Sequence, residues 1–369
     1  MSEPRVAIVH ERLTEVAGSE QVVEQLSREW PQAQVYTSIA RPEGIPSGLS
    51  RPPSATWLNR PYHALGAGTY APLMPLMPLA FRRMRMPEVD VVIASHHAFA
   101  TQTVFATEAP VIAYVHSPAR WAWDASLRAG ESGGRLGATI LTALSVIARR
   151  GEVASAPELR CVVANSNAVA ERIRVRWGRD AAVVHPPVDT EGFTPDPSVQ
   201  RDDFFLLAGR LVPYKRHDLA VRAAAQAGVR LVVAGDGRSM RACQSLAGPQ
   251  TTFVGRVSHA DLLALHRRAR AVLLPGVEDF GIVPVEAMAT GTPVIALAEG
   301  GALDTVVHQV TGELVNGGDT DQAIVDGFAA AMRAFDPAEF DPTRIRVWAE
   351  GFSRASFRSK MREVVYAAL

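Results

Sequence analysis

The chain has 369 residues, of which 47% are hydrophobic and 21% are charged, and its 38 Lys and Arg residues balance 38 Asp and Glu residues. The hydrophobic content excludes an intrinsically disordered chain, and the length suits two domains that each bury a core. A formal net charge of zero excludes the marked basic excess of a general nucleic-acid-binding protein, so we expect no nucleic-acid partner.

The N-terminal half alternates predicted strands with predicted helices. Residues 6–9 form an apolar run that predicts a strand, residues 10–19 form a loop, and apolar residues at positions 22, 23, 26 and 30 predict a helix. Further strands are predicted at residues 89–94, 111–115 and 161–164. This alternation predicts that the N-terminal half forms an α/β domain.

Location and redox state follow from a few local features. The first strand begins close to residue 1, which predicts no signal peptide, and no apolar run is long enough to span a bilayer. Cys161 and Cys243 lie in different predicted domains, so we expect no disulfide and two small buried side chains. These features predict a cytoplasmic protein.

Residues 71–85 read APLMPLMPLAFRRMR and stand out in composition. Prolines at positions 72, 75 and 78 predict that no ordinary helix forms here. The segment is too short to span a bilayer, but a basic and apolar edge is suited to peripheral contact with an anionic membrane at its inner face. The alternative is that its apolar residues pack beneath the first domain while its arginines are solvated.

Residues 114–124 read YVHSPARWAWD and follow the predicted strand at 111–115, so His116 should lie at the carboxyl end of that strand. His116 either contacts a ligand or satisfies a hydrogen bond within a loop or the core. The remaining histidines that we considered lack the spacing of a metal site, and we assign none as a ligand: His96, His97, His185, His217, His259 and His266.

A cluster of prolines at positions 186, 187, 195 and 197 marks the predicted connection between domains. We predict an N-terminal domain over residues 1–192 and a C-terminal domain over residues 198–346. Residues 347–369 have helical spacing and form a separate C-terminal segment.

In the C-terminal half, three apolar runs each stop at a glycine-bearing loop before a helical stretch. Residues 204–208 precede Gly209, residues 231–234 precede the sequence Gly-Asp-Gly at 235–237, and a third run ends at Gly255. This pattern is typical of a parallel sheet that binds its ligand at the carboxyl ends of the strands. Arg210 and Lys215 would supply cations suited to a diphosphate, the alternative for each being a solvated surface charge.

The most informative stretch is residues 273–298, which read as strand, loop, helix and strand. Glu278 lies in the loop just before the predicted helix at 282–289, where free backbone amides and the helix dipole attract a phosphate. Glu286 lies one turn inside that helix. Ionised carboxylates only accept hydrogen bonds, so sugar and ribose hydroxyls are their natural partners. The alternative is a solvated acidic loop beside a surface helix.

Together these motifs resemble the retaining glycosyltransferases of family 4. The resemblance covers nearly the whole chain and rests on Glu278 with Glu286, on the sequence EAMATGTP at 286–293, and on the segment 209–215. It implies an α/β GT-B fold, in which two Rossmann-like domains face each other across a deep cleft. It also implies that residues 347–369 return to the first domain.

The resemblance assigns roles to individual residues. In that family the first Glu faces the donor sugar, the second holds the ribose, the Arg and Lys bind the diphosphate, and the His contacts the donor sugar. It therefore implies catalytic roles for His116, Arg210, Lys215 and Glu278. The implied donor-binding residues are Gly18, Gly209, Asp236, Gly237, Val254, Gly255, Asp279, Phe280, Gly281, Ile282 and Glu286. Ala17 and Gly18 stand where the family usually has two glycines.

The implied reaction is transfer of a glycosyl group from a nucleoside diphosphate to an acceptor hydroxyl with retention of anomeric configuration. The leaving diphosphate itself accepts the acceptor proton. We expect no cofactor and no metal, because no Asp-x-Asp metal motif lies beside a strand. The acceptor is expected on a glycan, a glycolipid or a small molecule.

The patterns at 116–124 and 212–216 look most like the GDP-mannose-dependent mannosyltransferases of surface polysaccharides and glycolipids, so GDP-mannose is the expected donor. Arg216 stands where the family often has Gly. The alternatives are a UDP-sugar or another GDP-sugar as donor, and a non-catalytic or regulatory sugar-nucleotide-binding protein. A nicotinamide oxidoreductase is disfavoured, because no Gly-x-Gly-x-x-Gly sequence follows the first strand.

Overall fold

The structure, a computed structural model, describes residues 3–124 and 134–369. The chain divides into two compact units. The first comprises Met1–Pro187 and Phe357–Leu369, and the second comprises Val188–Ser356.

The first unit is built on a parallel sheet. Its strands are β1 (Val6–His10), β2 (Gln34–Thr37), β3 (Ser54–Ala55), β4 (Val91–His96), β5 (Val111–Val115), β6 (Cys161–Ala164) and β7 (Ala182–Val183). Their order across the sheet is β3-β2-β1-β4-β5-β6-β7. Its helices are α1 (Gly18–Glu29), α2 (Asn59–Ala64), α3 (Met77–Arg82), α4 (Arg120–Trp123), α5 (Gly134–Ser155) and α6 (Asn167–Trp177).

The second unit has the same kind of parallel sheet. Its strands are β8 (Phe205–Ala208), β9 (Leu231–Ala234), β10 (Thr251–Gly255), β11 (Val272–Leu274), β12 (Val294–Leu297) and β13 (Gly312–Val315), in the order β10-β9-β8-β11-β12-β13. Its helices are α7 (His217–Ala227), α8 (Met240–Leu246), α9 (His259–Arg268), α10 (Ile282–Ala289), α11 (Ala302–Thr305), α12 (Asp321–Ala334) and α13 (Pro342–Glu350). Two Rossmann-like α/β domains of the predicted class are thus confirmed.

Central strands of both sheets read as continuous apolar runs because helices cover both faces. All five residues of β1 and of β5 are buried, and so are all four residues of β8 and of β12. This pattern explains why apolar runs, rather than alternating residues, predicted the strands. The predicted strand at 89–94 is displaced by two residues, because the buried run begins at Val91.

The C-terminal residues form two helices rather than one segment. Residues 351–353 separate α13 from a last helix, α14 (Arg354–Ala368). Phe357, Met361 and Val365 lie one turn apart on α14 and are buried in the core of the first unit beside Val6 and Ile8. The shared face explains why Phe357–Leu369 groups with that unit.

The expectation that no ordinary helix forms within residues 71–85 is wrong for residues 77–82. Residues Ala71–Leu76 form a 3-10 helix, but α3 follows directly, with Pro78 in its first turn. A first-turn N–H has no partner within the helix, so proline is tolerated there.

Two further expectations concern the cysteines and membrane-spanning helices. Cys161 and Cys243 are both unpaired thiols; Cys243 is buried, whereas Cys161 is only partly buried. No helix among residues 3–124 and 134–369 is both long and apolar enough to cross a membrane.

Candidate functional site

The candidate site of the second unit lies in the loops that follow β8, β9 and β11. Glycines allow these loops to pack closely at the carboxyl ends of the strands. Gly235 has a φ of 141°, and a Cβ there would lie 1.9 Å from the carbonyl oxygen of Gly209. Gly237 has a φ of 156°, and its Cβ would lie 2.3 Å from the Leu211 oxygen. Any larger residue at either position would push the loops apart.

The loop between β11 and α10 carries the first of the two glutamates. Gly281 has a φ of 91° and precedes the first turn of α10, as only glycine does readily. Glu278 is fixed through its backbone, because its carbonyl oxygen accepts a hydrogen bond of 2.9 Å from the Gly301 amide. A Cβ on Gly300 would lie 2.5 Å from the same oxygen. Sequence reasoning missed Gly300 and Gly301, although adjacent glycines after β12 were a visible signal.

Glu278 and Lys215 form an ion pair. Lys215 Nζ lies 2.7 Å from Glu278 Oε1, and the two side chains are 15% and 18% exposed. Their loops touch through Gly276, where a Cβ would lie 2.5 Å from the Lys215 carbonyl oxygen. The structure therefore brings together two side chains that the sequence assigned to one ligand, and Gly276 is the residue that permits the approach.

Glu286 is partly buried inside α10, where its environment disfavours its charge. Burial and, to a smaller extent, nearby Asp189 raise the pKa of Glu286 to about 7, although Lys215 opposes the shift. Asp189 itself pairs with Arg354, with 2.9 Å between Oδ1 and the guanidinium. Sequence reasoning did not find Asp189, which precedes the second unit's first strand by sixteen positions and carries no motif.

The other predicted residues of this unit surround the same loops. Arg210 is exposed just after Gly209, which has a φ of 130°. Asp236 is exposed, and its carboxylate accepts a hydrogen bond from the Gly237 amide at 2.7 Å. The rest differ in burial: Val254 is exposed, Phe280 is buried, Asp279 and Ile282 are partly buried, and Gly255 has a φ of 68°.

Arg216 occupies a left-handed backbone conformation, with a φ of 49°, that favours glycine. Its guanidinium pairs with Asp218 at 3.2 Å and with Asp321 at 2.5 Å, and these carboxylates raise its pKa. These ion pairs help to hold a conformation that a non-glycine residue adopts at a cost of roughly 1–2 kcal/mol. The departure from the family's usual glycine therefore has a local structural compensation.

In the first unit, His116 lies directly after β5, as predicted, and is 8% exposed. Its Nε2 lies 2.8 Å from Ser95 Oγ, and its ring stacks on His97 with 4.4 Å between centroids. Burial and, to a smaller extent, nearby His10 lower the pKa of His116 to about 3, so the ring is neutral at ordinary pH. Gly18 begins α1, and the preceding Ala17 has an extended backbone that needs no glycine.

The motif that contains His116 is held by a buried carboxylate, Glu152 of α5. It accepts hydrogen bonds from the Ala119 amide at 2.7 Å and from the indoles of Trp123 and Trp177 at 2.5 and 3.2 Å. His96 Nε2 lies 3.0 Å from the same group. Ala119 and Trp123 of the predicted motif therefore stabilise the conformation of the loop.

The two sets of predicted residues belong to different units, with His116 and Gly18 in the first and all others in the second. Within residues 3–124 and 134–369, no group of three or more His, Cys, Asp and Glu side chains is arranged to hold a metal ion. Metal independence and the individual residue roles stay predictions.

Two family models match the chain in succession. Residues 16–192 match Glycosyltransferase Family 4, and residues 191–335 match Glycosyl transferases group 1. Their order and extent follow the two units described above.

Individual relatives agree with these matches. D-inositol 3-phosphate glycosyltransferase of Mycobacterium avium is 38% identical over 177 residues, which cover 42% of each chain. The Mycobacterium bovis protein of the same name is 36% identical over 196 residues, 47% of this chain and 41% of that one. The chain thus spans less than half the length of these curated relatives.

Solved structures share the fold over the whole chain. Anabaena HepE in complex with UDP and glucose has a TM-score of 0.71 at 18% identity, covering 98% of this chain and all of that one. Sucrose-phosphate synthase from Thermosynechococcus elongatus has a TM-score of 0.73 at 19% identity, covering 99% and 100%.

Proposed function

We propose that this chain, whose residues 16–192 and 191–335 match the models of Glycosyltransferase Family 4 and of Glycosyl transferases group 1, transfers a sugar from a nucleoside diphosphate to an acceptor hydroxyl with retention of anomeric configuration. The observation that carries this proposal is the group formed by Lys215, Glu278 and Glu286 around the start of α10. A cation, two carboxylates and a helix N-terminus together match a ligand that has a diphosphate, a sugar and a ribose.

The proposed chemistry places Arg210 and Lys215 on the diphosphate. Negative charge on that group grows as its bond to the sugar breaks, and fixed cations stabilise it most at that point. Glu278 accepts hydrogen bonds from sugar hydroxyls, and Glu286 accepts them from the ribose. No side chain is assigned as a general base, since the departing diphosphate accepts the proton of the acceptor hydroxyl. His116 of the first unit is proposed to contact the donor sugar.

GDP-mannose is the proposed donor, on the strength of the patterns at residues 116–124 and 212–216. A UDP-sugar is the second candidate, because HepE has been solved with UDP and with UDP-glucose. Calorimetry with GDP and UDP tests the choice. Tighter binding of GDP supports the proposal, whereas clearly tighter binding of UDP contradicts this donor and leaves the transfer reaction in place.

We propose an acceptor on a glycan or glycolipid, and peripheral contact of residues 71–85 with an anionic membrane. The segment is divided in the structure: Leu73, Met77 and Phe81 are buried, whereas Leu76 and Leu79 are 41% and 38% exposed. The arginines at 82, 83 and 85 are also exposed. Co-sedimentation with anionic vesicles tests the contact. If replacing Leu76 and Leu79 with Ser leaves the vesicle-bound fraction of the protein unchanged, the contact is contradicted.

Donor turnover separates an enzyme from a regulatory binding protein. The protein should release GDP from GDP-mannose when acceptor is supplied, and mass spectrometry of the product should show one added hexose. A protein that binds GDP-mannose but releases no GDP with any glycan or glycolipid acceptor would be a sugar-nucleotide-binding protein instead.

A further inference from the structure

Four side chains of the first unit form one hydrogen-bonded chain that ends at His116. Glu20 Oε1 lies 3.1 Å from His10 Nε2, and His10 Nδ1 lies 3.0 Å from Ser95 Oγ. The same Ser95 oxygen lies 2.8 Å from His116 Nε2. His10 and Ser95 are fully buried, and Glu20 is nearly so. We call these three residues, Glu20, His10 and Ser95, the relay.

The fold places the relay at adjacent strand ends. His10 is the last residue of β1 and lies opposite Ser95 on the neighbouring strand β4. Ser95 in turn lies opposite Tyr114 of β5, two residues before His116. Glu20 reaches the group from the first turn of α1. These hydrogen bonds join residues up to 85 positions apart, so the arrangement depends on the register of the sheet.

The direction of each hydrogen bond follows from the state of Glu20. Its Oε2 accepts hydrogen bonds from the Ala17 amide and the Ser19 hydroxyl, both at 2.9 Å. Burial would raise the pKa of Glu20, but hydrogen bonds from His10 and Ser19 oppose that effect, and the pKa is lowered. Glu20 is therefore ionised and acts only as an acceptor. His10 must then direct its Nε2–H toward Glu20.

The remaining steps follow for a neutral His10, whose two ring nitrogens have opposite roles. With Nε2 protonated, His10 Nδ1 has a lone pair and accepts a hydrogen bond from the Ser95 hydroxyl. Ser95 Oγ then accepts a hydrogen bond from His116 Nε2–H. His116 Nδ1 is left with its lone pair, and it makes no hydrogen bond with the residues that the structure describes.

We propose that the relay fixes His116 as the tautomer protonated on Nε2, so that Nδ1 accepts a hydrogen bond from a hydroxyl of the sugar substrate. Glu20, His10 and Ser95 are positioning residues, since they act through His116. This inference rests on the proposed function for the identity of the hydroxyl. The low pKa of His116 agrees with it, because a neutral ring keeps one lone pair available.

The test is an isosteric change at the far end of the relay. In a Glu20→Gln variant, the amide oxygen must stay beside the Ala17 N–H, because that backbone group can only donate. The amide NH₂ then faces His10 Nε2 and forces the proton of His10 onto Nδ1. Ser95 must donate to His116 Nε2, which moves the proton of His116 to Nδ1. Heteronuclear NMR of the imidazole nitrogens, assigned with His116→Asn, should show this inversion.

Three further variants make the test specific. Ser95→Ala should leave His116 as a mixture of tautomers, and adding Glu20→Gln to it should have no further effect on His116. Ser95→Thr keeps the hydroxyl and should keep the unmodified tautomer. Glu24→Gln is the matched control, because Glu24 lies on the same helix but pairs with Arg28. Its spectrum and its transfer rate should be unchanged.

Turnover tests the substrate half of the inference. Glu20→Gln should lower kcat/KM for the donor about tenfold, the effect of losing one hydrogen bond to the substrate. A His116 ring protonated on Nδ1 in the unmodified protein, or unaffected by Glu20→Gln, would overturn the relay. An inverted tautomer with unmodified kcat/KM would overturn the contact with the substrate hydroxyl. A protein without any transfer activity would instead contradict the proposed function, while the spectra still decide on the relay.

Discussion

Lys215 Nζ lies 2.7 Å from Glu278 Oε1, so the cation proposed for the diphosphate is already paired with the carboxylate proposed for the sugar. Both side chains are largely buried, and a loop contact at Gly276 keeps them together. The pair holds each group in place before any ligand binds. A pre-positioned site loses less conformational entropy on binding than one that must be assembled.

The first prediction distinguishes the roles of Glu278 and Glu286 by the binding of GDP, a ligand that has no sugar to transfer. Glu278→Ala should abolish transfer yet bind GDP at least as tightly as the unmodified protein, because Lys215 loses its competing carboxylate. Glu286→Ala should weaken GDP binding roughly tenfold or more, because a charged acceptor of the ribose hydroxyls is lost. Calorimetry with GDP measures both effects.

Exposed Glu339 provides the control for this pair of variants, and Glu339→Ala should leave GDP affinity and transfer unchanged. Weaker GDP binding by Glu278→Ala than by Glu286→Ala would reverse the two assignments. Transfer at the unmodified rate by Glu278→Ala would remove that residue from the site.

The second prediction concerns stabilisation of the leaving group. Arg210→Ala and Lys215→Ala should each lower kcat about a hundredfold, since removing one pre-positioned donor typically costs about 3 kcal/mol in the transition state. The double variant should lose less than the sum of the two, because both cations contact the same phosphates. Lys360, exposed on α14, is the control for charge removal alone. If steady-state kinetics of either single variant show an altered donor KM and an unmodified kcat, that residue contributes only to binding of the ground state.

Much of the second unit could be predicted from local sequence. The bounds of α10 were predicted correctly, because Gly281 and Gly291 flank a run of helix-forming residues. The residues that support the site could not be predicted in the same way. Gly276 matters because its backbone touches that of Lys215, sixty-one positions earlier, and Asp189 matters because it lies near Glu286.

In the first unit, too, local elements could be predicted from the sequence, whereas contacts between distant residues could not. The strand before His116 followed from an apolar run of five residues. The role of Ser95 depends on which residues of β1 and β5 lie beside it. These strands are buried at every position, so no alternating pattern indicates their register in the sequence. The C-terminal residues show a further limit, since helical spacing persists through residues 351–353, where the structure has a break.

The third prediction follows from the pKa of Glu286, which burial and Asp189 together raise to about 7 against the opposing effect of Lys215. The ribose hydroxyls need the ionised carboxylate as their acceptor, so binding must remove the proton from a protonated Glu286. GDP affinity should therefore fall as pH decreases below about 7, by up to about tenfold for each pH unit, and level off above it. Calorimetry near pH 6 in two buffers of different ionisation enthalpy should detect proton release on binding.

Glu286→Gln provides the control, because it cannot ionise and should remove this part of the pH dependence. Any slope that remains belongs to the phosphates of GDP or to other groups. An identical slope in both proteins would show that Glu286 is already ionised in the free protein, or that it does not contact the ribose.

The fourth prediction is that transfer needs no divalent metal. Arg210, Lys215 and the N-terminus of α10 are the groups proposed to balance the diphosphate charge. Dialysis against EDTA should leave kcat within about twofold of its starting value. Loss of activity that magnesium or manganese restores would show that these cations are insufficient for the diphosphate.

The last prediction concerns Gly276, whose role only the three-dimensional contact reveals. A Cβ there would lie 2.5 Å from the carbonyl oxygen and 2.9 Å from the Cα of Lys215. Neither atom belongs to a flexible side chain, so Gly276→Ala must move one loop away from the other and separate Lys215 from Glu278. We expect kcat to fall at least about tenfold, because small displacements of a catalytic group have large effects on rate.

The cost to folding should be modest, roughly 1–3 kcal/mol, because the overlap lies between two loops and not within the strands of the core. Gly68→Ala is the matched control, since a Cβ at Gly68 meets no atom within 4 Å. Kinetics and thermal unfolding should show a slow but folded Gly276→Ala protein and an unaffected Gly68→Ala protein. If Gly276→Ala keeps the unmodified kcat, the ion pair of Lys215 and Glu278 tolerates displacement and its fixed geometry is not required for transfer.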